Sequence, residues 1–299
     1  MGTKVDVFDL GPCSAGDRII VSIKPSAGSP LDPTTAIFDA AQELVALNDD
    51  AALSAGRVDS FIDVIVGTGG AHFYLATTRF FFASTGGAYD ASVEIQRGSG
   101  VPAPQGQRLL LNFAAGSVVI PDEGSFQFDA FDAQDIDAAY AGLTAQIKTK
   151  IVDTVRQNFA ATGMQIFTSD DAVQPAEPFS TIHFGSFSST KFGVAQAVDA
   201  GNRDCCDDGI VFTDDFDKPF SPRPSADGIA VAIGNVAAHE AGHLLGLNHV
   251  ADITALMDTT GAASTLLADQ EFKTAPLAQT IFPFGMQNDM ALLNRVIPK

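Results

Sequence analysis

Tryptophan is absent from this sequence and tyrosine nearly so, with three, while phenylalanine is abundant, with 23. Basic residues are also short: 17 Lys and Arg stand against 36 Asp and Glu, a formal net charge of −19. That deficit excludes nucleic acid and anionic membrane as partners, because little here can neutralise a row of phosphates. No apolar run approaches the roughly 20 residues of a membrane span, so no spanning segment is expected. Three cysteines (Cys13, Cys205 and Cys206) are too few for a disulfide framework. A bridge from Cys13 to one of the pair and unpaired or vicinal thiols are equally compatible with them. What remains is a globular composition, 46% hydrophobic and 18% charged, over 299 residues, enough for one large or two ordinary domains. The opening stretch has no basic region followed by an apolar core, so either the chain is cytosolic or a leader has been removed ahead of it.

Residues 4–98 alternate short β-rich runs with Gly, Pro, Asp and Asn turns. Candidate strands are 5–10, 18–25, 35–40, 43–49, 60–66, 71–79 and 92–97, spaced as in an antiparallel β-sandwich. Asp6 and Phe8 open the segment, Gly16 and Asp17 precede an apolar strand, and Asn48, Asp49 and Asp50 form an acidic turn. The aromatic strand His72–Leu75 and a closing Gly86, Gly87 and Tyr89 follow. In this order of features, residues 1–98 resemble the bacterial pre-peptidase C-terminal domain. The resemblance implies a companion of secreted peptidases with a role in secretion or substrate attachment. Asn48, Asp49 and Asp50 could hold calcium, although an Asx-rich turn needs no metal. His72 reads as a packed or surface histidine.

Residues 99–107 combine Ser, Gly, Val, Pro, Ala and Gln without periodicity and read as a linker. Residues 108–299 then make a second domain of α+β type. Strands are expected at 108–120, 164–169, 180–187, 193–201 and 209–216. Ile136, Tyr140, Leu143, Ile147, Ile151, Val155 and Phe159 have the spacing of one long amphipathic helix over Asp135–Ala161. Residues 286–297 read as a closing helix. His183 lies mid-strand and reads as a core or edge histidine with a hydrogen-bond partner. Asp199, Asp204, Asp207, Asp208, Asp214 and Asp215 are candidate Ca²⁺ ligands, with a solvated acidic loop as the alternative.

The chemistry is concentrated in 239–257. Five histidines serve the whole chain and three fall here, at 239, 243 and 249. On a helix His239 and His243 are i and i+4, so both imidazoles leave one face and can share a metal. Glu240 sits about 100° round the helix, placed to reach a metal-activated water. Gly246 permits a left-handed turn that ends the helix and returns His249 to the same point. Three neutral nitrogens and an open fourth position describe a catalytic rather than a structural Zn²⁺ site.

His239, Glu240, His243, Gly246 and His249, with Met257 after them, reproduce HExxHxxGxxH and its methionine turn, and resemble the metzincin peptidases, most closely the matrixin branch. The resemblance covers roughly 107–299. It implies a secreted zinc endopeptidase acting on protein or peptide substrates, with Glu240 as general base and Met257 beneath the ligands. It also implies a substrate strand paired with a sheet edge, for which Gly209–Thr213 is the candidate by position, and a specificity wall from 259–284. Two departures are Val250, where matrixins have Ser, and Asp258, where they have Tyr. No tyrosine follows Tyr140, so a tyrosine metal ligand has no candidate. The rival reading is a secreted matrix- or surface-binding protein with a non-proteolytic metal site.

Overall fold

The computed structural model describes residues 4–51, 57–259 and 262–297. By its contacts the chain divides into two units, Met1–Ala103 with Thr274–Asn288 and Pro104–Lys273 with Asp289–Lys299.

In the first unit all seven expected runs are strands: β1 (Asp6–Cys13), β2 (Arg18–Pro25), β3 (Pro33–Asp39), β4 (Leu44–Asn48), β5 (Ser60–Ile65), β6 (Gly70–Arg79) and β7 (Tyr89–Gln96). They pair antiparallel in two sheets, ordered β1-β6-β3-β4 and β5-β2-β7. The alternation of β2 puts Ile19, Val21 and Ile23 on one fully buried face. These side chains share a core with Cys13 of β1, Ile37 of β3, and Phe73 and Leu75 of β6. Burying each contributes roughly 1.5–3 kcal/mol.

A second cluster of this unit joins Ala36, Phe38 and Leu44 to Leu277 and Phe282. The late segment forms a two-stranded ribbon of β15 (Thr274–Pro276) and β16 (Met286–Asn288), and Met286 bridges to Glu43. The Phe282 and Phe284 rings lie 5.5 and 5.1 Å from that of Phe38. The sequence placed 274–284 in the second domain as part of a specificity wall. Its apolar side chains pack with the first unit instead, and residues 260–261 of that expected wall lie outside the described residues.

The second unit is built on a five-stranded sheet in the order β11-β8-β12-β14-β13. Its members are β8 (Arg108–Asn112), β11 (Gln165–Thr168), β12 (Ser180–Phe184), β13 (Gly193–Ala195) and β14 (Asp208–Val211). All pairings are parallel except β13 with β14. The expected single strand at 108–120 is two, with β9 (Gly116–Ile120) turning into a hairpin with β10 (Gly124–Phe128). The expected long helix is also divided, into α1 (Ala133–Ile136), a 3₁₀ turn at Ala138–Tyr140 and α2 (Thr144–Asn158). Asp137 is extended at φ −165° and its carboxylate accepts from the Ala139 amide, which starts a new turn. Gly142, at φ +79°, then breaks the path again.

Helix α3 (Ala226–Leu244) packs on α2 and supplies the site. Ser225 caps its N-terminus, accepting from the Gly228 amide at 3.1 Å. From Ile229 onward every residue except His239 is buried, as its apolar composition on all faces requires. Gly234 lets the helices approach: a Cβ there would lie 2.6 Å from Cβ of Thr154. Near the end of the chain, α4 (Asp289–Val296) buries Leu293, as expected of a closing helix.

Candidate metal centre

Helix α3 ends just after its second histidine. The Gly246 amide donates to the His243 carbonyl at 2.9 Å, and the Leu247 amide to that of Gly242 at 2.9 Å. Gly246 takes φ +90°, and a Cβ there would also lie 2.8 Å from the Asp199 carbonyl oxygen. Both conformation and space therefore demand glycine. The chain then doubles back, and the Val250 amide donates to the Met257 carbonyl at 2.9 Å. Met257 is fully buried against α3, where a Cβ on Gly242 would lie 2.6 Å from its Sδ.

This turn brings His249 to His239 and His243. The Nε2 atoms of His239 and His243 are 3.0 Å apart, and that of His249 lies 3.2 and 3.1 Å from them. Among the described residues no other group of three His, Cys, Asp or Glu side chains brings its ligand atoms together within 4.8 Å.

Their protonation explains the arrangement. A neutral imidazole has one N–H and one bare nitrogen. The Nδ1 atoms of His239 and His243 lie 2.7 and 2.8 Å from the carbonyls of Leu256 and Leu247. Carbonyls only accept, so both Nδ1 carry the proton and both Nε2 are bare. Burial, and then the neighbouring histidines, hold His239 down at about 4 and His243 well below the ordinary value. Burial lowers His249 too, opposed by the Asp258 carboxylate. Two bare Nε2 atoms face each other at 3.0 Å with no proton between them, and such lone pairs repel unless a cation lies between. Tetrahedral zinc, bound at about 2.0–2.1 Å per nitrogen, sets nitrogens about 3.3–3.4 Å apart, close to the separations here. The residues fit zinc.

Glu240 is 6% exposed, and burial pushes its carboxyl up to about 8, opposed by Lys191 and by a hydrogen bond from the Ala195 amide. A cation among the imidazoles pulls it back down. Strand β13 lies directly against it: a Cβ on Gly193 would lie 2.6 Å from Oε1 of Glu240. The expected substrate edge at Gly209–Thr213 is corrected here. β14 is hydrogen-bonded on both sides, by β12 and β13, and the edge strand next to it is β13, with β11 at the opposite edge.

Among the described residues no three of the six candidate calcium ligands bring their carboxylate oxygens within 4.8 Å of one another. Asp199 accepts from the Asp204 amide at 2.8 Å, and Asp207 takes the Ser180 hydroxyl at 2.5 Å. Asp208 lies 3.2 Å from Nε2 of His183, and Asp215 pairs with Lys218 at 3.5 Å. Asp214 is raised by burial. His183 also contacts Asn112 at 3.1 Å, and His72 is an exposed partner of Asp9 at 2.9 Å. The spacing of the histidines could not disclose Gly193, the Ala195 amide or the carbonyls of Leu247 and Leu256, since backbone groups leave no mark in a motif.

Three converging imidazoles, two of them with bare Nε2 atoms, and the buried carboxylate of Glu240, one residue along α3 from His239, are the side chains a metal-dependent hydrolase needs. The matrixin family model matches residues 121–271, half of the chain. The chain belongs to the matrixin family and is a zinc metallopeptidase. No curated protein matches it. Among solved structures it is similar to an archaemetzincin from Methanopyrus kandleri (12% identity, 57% of this chain and 90% of that one, TM-score 0.30). A zinc-dependent peptidase from Methanocorpusculum labreanum is similar at 13% identity, over 54% and 92%, with TM-score 0.32. The pre-peptidase C-terminal domain of a collagenase from Bacillus anthracis is similar at 13% identity, over 31% and 89%, with TM-score 0.20. At scores this low the family assignment rests on the matrixin match.

Proposed function

We propose that the protein is a secreted endopeptidase that hydrolyses internal peptide bonds, with His239, His243 and His249 holding zinc and Glu240 as general base. The observation that carries this reading is a buried carboxylate placed between the convergent imidazoles and an open strand edge. Zinc, when bound, supplies Lewis acidity to the scissile carbonyl and to the attacking water. Glu240 takes the proton of that water at its carboxylate and returns it to the leaving amine. Leu256 and Leu247 fix the imidazoles through Nδ1 and keep Nε2 available. Met257 supports the helix below the ligands. An extended substrate pairs with the free edge of β13, adding a strand to the sheet, which suits cleavage away from chain ends. The first unit, a β-sandwich resembling pre-peptidase C-terminal domains, attaches the enzyme to its substrate. Export agrees with the acidic composition.

The test is mass spectrometry of products from a mixture of end-blocked peptides, with and without a zinc chelator. Internal cleavage abolished by chelation is expected. Release of terminal residues alone from unblocked peptides, or no cleavage by zinc-loaded protein, contradicts the endopeptidase reading.

A further inference from the structure

Strand β13 does more than offer an edge. Its ladder with β14 runs through Phe192 and Phe212 (2.8 Å), Val194 and Ile210, and Gln196 and Asp208 (2.8 Å). In an antiparallel pair the alternate residues turn their N–H and C=O away from the partner. Gly193 and Ala195 therefore direct their backbone groups to the free edge. One of them bears on the base: the Ala195 amide favours the ionised Glu240 carboxyl against the effect of burial. Gly193 lies two residues earlier on the same side. A Cβ there would lie 2.6 Å from Oε1 and 2.9 Å from Cγ of Glu240, and 2.9 Å from Cγ1 of Val236. Its φ lies outside the left-handed region, so space and not backbone conformation calls for glycine. Glu240 is buried, so displacing it moves packed neighbours.

We propose that Gly193 and the Ala195 amide are positioning groups for Glu240, one leaving the room its carboxylate occupies and the other fixing that carboxylate by a hydrogen bond. β13 thus binds substrate with its remaining edge groups and aims the base with these two. The inference rests on Glu240 being the base, but its first test does not require activity.

That test is hydrogen exchange of the Ala195 amide in the full-length protein, read by NMR with ¹⁵N-alanine and ¹⁵N-valine labels. Glu240→Ala is expected to speed Ala195 exchange about tenfold or more. Glu240→Gln, which keeps an acceptor, preserves protection, and the Val194 amide is unchanged in both. Unchanged Ala195 exchange in Glu240→Ala overturns the proposal. The second test is kinetic. A misplaced catalytic group costs on the order of 100-fold, so Gly193→Ala is expected to lower kcat about 10- to 100-fold with KM and zinc content held. In a Glu240→Asp background, where the carboxylate is one methylene shorter, the same substitution costs less than about threefold. Equal losses in both backgrounds, or a change in KM alone, contradict it. If wild-type protein cleaves no peptide, the endopeptidase reading fails while the exchange result still decides this one.

Discussion

At the scale of single residues, the site is organised by which atoms are denied protons. His239 and His243 spend their N–H on the carbonyls of Leu256 and Leu247, which leaves Nε2 bare without a charged neighbour to fix the tautomer. Asp207 shows the opposite outcome. It is 2% exposed, Ser180 is its hydrogen-bond partner, and burial pushes its carboxyl up to about 7 from an ordinary 3.8. The folded state therefore binds more protons than the unfolded state between these values, and this group's contribution to stability falls as pH rises through the window. Asp207→Asn, neutral throughout, is expected to be more stable than wild type at pH 8 by on the order of 2–4 kcal/mol. The gap closes as the pH falls through the same window. Thermal melts of both proteins from pH 4 to 8 check this, and a difference independent of pH contradicts it. The convergence of three histidines was legible in their spacing, because i and i+4 share a helix face and Gly246 can reverse the chain. The place of Gly193 was not, because a residue without a side chain reveals its role only when its neighbours are known.

Among elements, the turn after α3 depends on a single glycine. Gly246→Ala meets both φ +90° and the Asp199 carbonyl. It is expected to cost about 2 kcal/mol or more in denaturant melts, with weaker retention of zinc against a chelator because His249 follows three residues later. Wild-type stability and zinc retention in this variant would contradict the geometry. Ser225→Ala removes the cap of α3 and is expected to cost about 1 kcal/mol by the same melts, without loss of zinc. The strands of the first unit were legible because apolar and polar residues alternate along them. The edge of the second sheet was misread for a physical reason. Apolarity marks burial, so the apolar run at 209–213 belongs to an inner strand, while the edge is a three-residue strand with little pattern. The long helix failed likewise: its 3.6-residue period persists across Asp137 and Gly142, whose backbone conformations interrupt it.

For the molecule as a whole, order along the chain and membership of a unit differ. Thr274–Asn288 follows the histidine segment in sequence but completes the aromatic core of the first unit around Phe38. Hydrophobic pattern shows that such a segment is buried and cannot show against what. Phe282→Ala is expected to destabilise the first unit by about 3–5 kcal/mol, seen as a lower Tm; a loss below about 1 kcal/mol would remove Phe282 from that core.

The central claim, that three histidines hold zinc for a base supplied by Glu240, is tested most directly by one paired measurement on wild type and Glu240→Gln. Each is purified, assayed for zinc by elemental analysis, and given the same peptide substrate. One zinc per chain in both proteins is expected, with kcat in the variant reduced about 100-fold or more, as for loss of a general base. Full activity in a zinc-loaded Glu240→Gln protein, or no zinc in the wild type, would contradict the account.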